Sequence, residues 1–540
     1  MMSKVRNPIL PGFNPDPSFI RVGSDYYIAT STFEWYPGVQ IHHSTDLANW
    51  ALASRPLERA SQLDMRGNPD SGGVWAPCLS HDGERFWLIY TDVKRLSGSY
   101  KDTHNYVVWA DDIAGPWSDA VYLNSSGFDP SLFHDDDGRK WLVNMVWDHR
   151  GSLSDPNGPP GYFAGIDLQE YDPEKRALIG PIERIFGNTS TGYTEAPHLY
   201  KRDGWYYLIT AEGGTGYGHA VTHARSRDLS GPYEVHPQLH PLTARGTPDA
   251  SLQRVGHGQF ADTPDGRVFH TFLCSRPLTG TRRSPLGRET GITEMRWGED
   301  GWMYAAGNSQ APAIDFELPG ADAPGRDEEV RYDFDTADLP ADFQWLRTPD
   351  SERIFSLAEK PGCLRLFGRE AIGSWFEQAL VARRQTHHVF SAETVVDLDP
   401  ANFQQMAGLV AYYNRSKFHY LHVGLAAGGR MLSIQSCPAR IDTDLEFPIG
   451  DGIALPDSGP VWLGADVDGA SLQFRYATRE GEWQPVGPVL DHSALCDETG
   501  SGDGSNFTGT FIGMAAQDSS GQATAADFGY FAYRGTEQPQ

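Results

Sequence analysis

Short alternating runs of apolar and polar residues, each opened by a tight turn, recur along the first half of the chain. Five of them are Gly23-Ser24-Asp25-Tyr26-Tyr27-Ile28, Asp82-Gly83-Glu84-Arg85-Phe86-Trp87-Leu88-Ile89, Asp137-Gly138-Arg139-Lys140-Trp141-Leu142-Val143, Asp203-Gly204-Trp205-Tyr206-Tyr207-Leu208-Ile209 and Asp265-Gly266-Arg267-Val268-Phe269-His270. Asp-Gly between apolar runs predicts a hairpin, because the turn needs a positive φ. The turn glycines at 23, 83, 138, 204 and 266 are separated by 60, 55, 66 and 62 residues. A second element precedes each turn: Asp16-Pro17-Ser18-Phe19, Ala76-Pro77-Cys78-Leu79, Asp129-Pro130-Ser131-Leu132, Ala196-Pro197-His198-Leu199 and His257-Gly258-Gln259-Phe260. A third follows some turns, as in Ser44-Thr45-Asp46-Leu47, Ala110-Asp111-Asp112-Ile113 and Ser226-Arg227-Asp228-Leu229. Five copies of about 60 residues, each with several short strands, predict an all-β, five-bladed propeller.

In a propeller the innermost strand of each blade lines the central channel. If the Asp-Pro-Ser-like element starts that strand, Asp16, Trp75-Ala76, Asp129, Glu195-Ala196 and His257 meet on the axis. The chemistry at these positions varies while the surrounding Pro and apolar positions stay alike, which is the pattern of a site grafted onto a scaffold. Each residue has a plainer reading. Asp before Pro is common in turns, and Glu is usually a surface residue. Trp75 and Trp147 could be core aromatics, and Arg288 a solvated loop cation. The shared register of the repeat favours the functional readings of the carboxylates.

After about residue 311 the pattern changes. Leu318-Pro319-Gly320-Ala321-Asp322-Ala323-Pro324-Gly325 reads as a connector without periodicity. Alternating strands then return, among them Cys363–Phe367, His388–Val396, Ala407–Tyr413 and Phe418–Val423, and predict a single β-sandwich. The expected layout is a propeller over 1–312, a linker over 313–328 and a sandwich over 329–540.

Composition narrows the function. With 44 Lys+Arg against 71 Asp+Glu the net charge is −27, which argues against nucleic acid or an anionic membrane as partner. No apolar run reaches the roughly 18 residues of a membrane span. The N-terminus lacks the apolar stretch of a secretory signal. Five scattered cysteines with no C-x-x-C spacing indicate neither a zinc site nor a disulfide framework, and a reduced, cytoplasmic protein is expected. The aspartate-rich His134-Asp135-Asp136-Asp137-Gly138 lacks the spaced ligands of a calcium loop and reads as a solvated hairpin tip. Gathered carboxylates serve acid and base roles when their pKa values are pushed apart. Glycoside hydrolysis is one such reaction, with a protonated acid at the leaving oxygen and an ionised partner across the sugar.

Asn14-Pro15-Asp16-Pro17-Ser18, Gly73-Val74-Trp75-Ala76-Pro77, Gly127-Phe128-Asp129-Pro130-Ser131, Thr194-Glu195-Ala196-Pro197 and Leu286-Gly287-Arg288-Glu289-Thr290 together resemble the motifs of glycoside hydrolase family 43. The similarity is greatest to its two-domain β-xylosidases, and runs from about residue 7 to the C-terminus. It implies a propeller followed by a concanavalin A/lectin-like sandwich. It also implies exo-acting, inverting release of D-xylose from the non-reducing end of β-1,4-xylooligosaccharides. By the resemblance Asp16 is the general base, Glu195 the general acid, and Asp129 tunes and orients the acid. Arg288 holds sugar hydroxyls, and Phe33, Trp75, Phe128 and Trp147 wall the pocket. Phe507, in Gly504-Ser505-Asn506-Phe507-Thr508, reaches from the second domain to the pocket mouth; its plainer reading is a sandwich-core aromatic. No cofactor is required for the chemistry. His257 is either a polar group satisfied by water or the ligand of a calcium ion. A homo-oligomer, dimer or tetramer, is expected from the same resemblance. An α-L-arabinofuranosidase or arabinan-cleaving hydrolase would share the carboxylate trio, and is the alternative among enzymes. A non-catalytic carbohydrate-binding propeller is the alternative from another class, though it would be expected to have lost a carboxylate.

Overall fold

In the computed structural model, which describes residues 2–151, 162–307, 309–319, 325–500 and 506–537, the five repeats form five antiparallel sheets. The first blade runs Ser18–Val22, Asp25–Thr30, Gln40–Ser44 and Ala51–Ser54. The second runs Gly73–His81, Phe86–Arg95, Asp102–Ala110 and Val121–Asn124, and the third Ser131–His134, Lys140–Trp147, Phe163–Asp172 and Ala177–Phe186. The fourth and fifth start at Glu195–Arg202 and Gln253–Gly256 and end at Leu242–Thr243 and Met303–Ala305. The five turn glycines have φ of 64°, 97°, 84°, 72° and 86°, the left-handed region that the hairpins require. The third repeat element is also a turn with a mechanism. Asp46, Asp112 and Asp228 each accept a hydrogen bond from the backbone N–H two residues on, at 3.0, 2.9 and 3.0 Å. Asp135 and Asp137 of the aspartate-rich stretch hold Lys201 and Arg139 at the hairpin tip of the third blade.

The ring is closed between the N-terminal segment and the fifth blade. The Asn7 side chain substitutes for a strand residue: its Nδ2 donates to the Ile292 carbonyl (2.9 Å) and its Oδ1 accepts from the Ile292 N–H (2.8 Å). Gly12 N donates to Glu289 (2.7 Å), which is buried against Arg276 at 2.7 Å. Within the expected linker lies a strand, Asp315–Pro319, which pairs with Met2–Arg6. Its alternation sends Leu318 into the core cluster of Val5 and Phe19, with Phe316 packed against it, so the returning chain staples the closure. Residues 320–324 of the connector lie outside the described residues.

The second unit is a sandwich of two sheets, to which it contributes eight strands and seven. In one, Val389–Asp397 buries every second residue, as expected with one face on the core. In the other, Gln405–Asn414 is buried at every position, because the propeller covers its outer face. Propeller residues Phe13, Phe33 and Trp35 share one apolar cluster with Tyr412, Tyr420 and Phe511. This sheet also takes an edge strand from the first domain: Trp35 and Tyr36 pair with Leu346 and Trp345, and Trp35 stacks on Phe511 at 3.7 Å.

Asn7→Ala leaves the buried Ile292 N–H unpaired. It is expected to cost about 2–4 kcal/mol, read as a lowered denaturant midpoint at unchanged m-value; an unchanged midpoint would show that the closure does not rest on this side chain.

Candidate active site

The five residues that open the second repeat element share one backbone conformation. Asp16, Ala76, Asp129, Ala196 and His257 have φ of 57°, 31°, 53°, 50° and 21°. Side chains other than glycine rarely adopt such angles, Asp and His more often than most. The strand ladder breaks at the same places, with register shifts between Trp75 and Cys78 and between Glu195 and His198. A bulge of this kind re-aims side chains at the rim of a sheet. Here it turns Asp16, Trp75, Asp129, Glu195 and His257 into one cavity of about 300 Å³. The strand itself begins at Ser18 and Ser131 in the first and third blades, while in the second and fourth it runs through the bulge.

Aromatic rings wall this cavity. Phe33, Trp75, Phe128 and Trp147 follow one another at centroid distances of 5.9, 5.3 and 6.1 Å. Both indole N–H groups donate to backbone carbonyls, Trp75 to Ser71 and Trp147 to Ser99, each at 2.8 Å. That fixes the rings, and Trp147 is held further by Tyr162, stacked on it at 4.8 Å. Phe507 enters from the second domain, 5.7 Å from Trp75; residues 504 and 505 before it lie outside the described residues. Lys101, Phe163, Tyr193, Gly214 and Thr215 also line the cavity and were missed by sequence reasoning. They lie outside the repeat's second element. Lys101 follows Ser97-Gly98-Ser99-Tyr100, which reads only as a turn.

The carboxylates have different neighbours. Asp16 accepts from Ser31 Oγ at 2.7 Å and from Arg288 Nη1 at 3.1 Å. Ser31 Oγ in turn accepts from Ala76 N at 2.8 Å, which ties the first blade to the second. Arg288, 2% exposed, also donates through Nη2 to the Phe507 carbonyl at 2.7 Å. Burial pushes Glu195 up to about 8, and the Asp16 charge adds to it, while Arg288 and Lys101 act against it. Asp129 is held well above the usual carboxylate range, first by burial, then by Glu195 and Asp16; the Ala196 backbone N–H bonds to it and opposes the shift. One carboxylate is therefore held by a guanidinium and a hydroxyl, and two are pushed toward the neutral acid. That division is what an acid–base pair needs. Burial also lowers Lys101 to about 8; its ammonium sits 4.6 Å over the Trp147 ring.

Burial, helped by Arg288, depresses His257 to about 3, so the ring is neutral at neutral pH. Its Nδ1 lies 3.7 Å from Asp16 Oδ1. Among the described residues no three His, Cys, Asp or Glu groups converge to hold an ion. Calcium takes six to eight oxygen ligands, whereas His257 offers nitrogen and its carboxylate neighbour is already bound to Ser31 and Arg288. Side chains of the described residues alone build no calcium cage here, so a calcium ion beside His257 would take most of its ligands from water.

Residues 5–303 match the family model described as Glycosyl hydrolases family 43, and residues 331–534 match the Beta xylosidase C-terminal Concanavalin A-like domain. The chain is 58% identical over 542 residues to Xylosidase/arabinosidase 43B of Humicola insolens, covering 100% of this chain and 99% of that protein. It is 45% identical to a Beta-xylosidase of Bacillus subtilis (strain 168), covering 98% and 99%. The crystal structure of a xylan beta-1,4-xylosidase from Bacillus halodurans C-125 superposes with a TM-score of 0.93 at 47% identity, covering 98% of this chain and 100% of that one.

Glu195 is expected to carry its proton at pH 6 and to lose it by pH 10. Infrared difference spectra between those values should lose a protonated-carboxyl band that is missing in Glu195→Gln; a spectrum identical in the variant would remove Glu195 as the titrating acid.

Proposed function

The chain belongs to glycosyl hydrolase family 43, and from that premise we propose that it releases D-xylose from the non-reducing ends of β-1,4-xylooligosaccharides. It is a glycoside hydrolase of an inverting family. The observation that carries the site assignment is the division among the carboxylates. Asp16 is bound by a cation and a hydroxyl, while Glu195 is driven toward its neutral acid in the same cavity.

The terminal sugar lies against the rings of Trp75, Phe128 and Trp147, with Phe507 limiting the depth of chain that enters. Asp16 takes a proton from a water as that water's oxygen bonds to the anomeric carbon. The bond to the leaving oxygen breaks on the opposite face, and Glu195 delivers its proton there. Asp129, itself driven toward the neutral acid, is tied to the acid's strand through the Ala196 backbone N–H and so helps orient Glu195. Arg288 aims Asp16 through its hydrogen bond, and Phe33 and Arg288 support one another at 5.2 Å. A cavity of about 300 Å³ with an aromatic from the second domain in its wall favours attack from the chain end.

A second reading is activity on α-L-arabinofuranosides, favoured by the 58% identical relative whose name includes both sugars. The reading needs no metal. A cation beside His257 would have to be held largely through water, and loss of activity on chelation, restored by calcium, would support one. All five cysteines are free thiols, which supports a reducing compartment such as the cytoplasm. The homo-oligomer stays part of the proposal, and sedimentation would test it.

Real-time proton NMR of xylobiose hydrolysis is expected to show α-xylose first. Early β-xylose would overturn inversion, and no xylose beside rapid arabinoside cleavage would favour the second reading. Asp16→Asn should lower kcat by about 10²–10⁴-fold without loss of fold; near-normal turnover would remove Asp16 as base. Glu195→Gln should lose a comparable factor on xylobiose and far less on aryl xylosides with good leaving groups. Equal losses on both would argue against its acid role.

A further inference from the structure

Between the first and second blades runs a short loop, Asn68-Pro69-Asp70-Ser71-Gly72-Gly73, which touches both domains. Ser71 is fully buried with φ of 59°, a left-handed conformation that persists only where surroundings impose it. Its polar groups are used in three directions. Its N–H donates to Glu34 Oε2 at 3.2 Å, its carbonyl accepts from the Trp75 indole at 2.8 Å, and its Oγ accepts from the Phe507 N–H at 3.0 Å.

The loop has little freedom to shift. From the second domain, Arg347 donates to Asp70 Oδ1 at 2.8 Å and to the Asn68 carbonyl at 2.9 Å. Arg415 reaches Asp70 Oδ2 at 3.1 Å. A Cβ at Gly73 would lie 2.4 Å from the Phe33 carbonyl oxygen, and one at Gly72 2.8 Å from that of Val93. Phe507 is thus pinned at both sides of its own backbone, its carbonyl by Arg288 and its N–H by Ser71.

We propose that Ser71 is a positioning residue that fixes the Phe507 cap against Trp75, and so sets how tightly the pocket closes over a terminal sugar. Ser71 is absent from the residues lining the cavity; it acts through two aromatic walls from different domains. The inference rests on the exo-glycosidase reading of the site. Removing the hydroxyl leaves the Phe507 N–H without its acceptor and lets the cap move, which weakens ground-state binding more than chemistry.

The test is a double-mutant cycle of Ser71→Ala and Phe507→Ala, with kcat and KM measured on whichever of xylobiose or an aryl arabinofuranoside the wild type hydrolyses. Ser71→Ala should raise KM about tenfold with kcat within about twofold. The double variant should be no worse than Phe507→Ala alone, since both changes disable the same cap. Ser71→Gly suits the left-handed backbone but lacks the hydroxyl, so it should fold well and show the same rise in KM. That variant carries the test if Ser71→Ala fails to fold. A wild-type KM in the folded variants, or independent effects that multiply in the double variant, would overturn the proposal. A wild type inactive on both substrates would instead overturn the exo-glycosidase reading, and this inference with it.

Discussion

Arg288 makes a hydrogen bond of 3.1 Å to Asp16 from inside a pocket that also holds Asp129 and Glu195. Three carboxyl groups buried together cannot all ionise at low cost, because each charge would face the others without water between them. A single guanidinium is hydrogen-bonded to one of them, Asp16. The other two, Asp129 and Glu195, are driven toward the neutral acid, first by burial. The same guanidinium holds the backbone of Phe507, so the electrostatics of the site and the closure of its mouth share one side chain.

Such a placement needs a rigid frame. The propeller supplies it by repeating one irregular backbone feature five times around an axis, the left-handed residue at Asp16, Ala76, Asp129, Ala196 and His257. Four of these precede proline, which disfavours the right-handed helical region there. Strain is held where blades, closure clamps and neighbouring hydrogen bonds over-determine the chain. The Asn7 amide and the strand Asp315–Pro319 matter to function for this reason: an open ring would let the five inner ends drift apart.

The second domain contributes more than cover. Its inner sheet has a strand buried on both faces and takes Trp35 and Tyr36 from the first domain as its edge strand. The two units therefore share a core. Buried arginines cross between them, Arg384 to the Phe13 carbonyl and to Gln40 and Arg347 to Asp70. Unpaired, such charges would be costly in this interior, which favours one seating of the domains. That seating is what delivers Phe507 to Trp75.

Much of this was legible in the residues themselves. The Asp-Gly turns and the alternation after them dictate hairpins by local sterics and burial, and their spacing marks the blades. The order of motifs then places Asp16 and Asp129 at equivalent positions of the repeat and Glu195 one residue before the next such position, Ala196, which brings three carboxylates to one end of the ring. Tertiary structure alone decided the rest. Arg288 meets Asp16 across 272 residues and Phe507 meets Ser71 across 436, and no local pattern encodes a contact that exists only once a ring has closed and two sheets have packed. Lys101, Phe163, Tyr193 and Ser71 escaped notice because their types and spacings are those of ordinary loops and strands. The strand inside the connector was hidden for the same reason, since its partner lies at the other end of the domain. Periodicity and turn chemistry are properties of neighbouring residues. The pairing of one carboxylate with a distant cation, and the burial that drives two others toward the neutral acid, arise only from the packed fold.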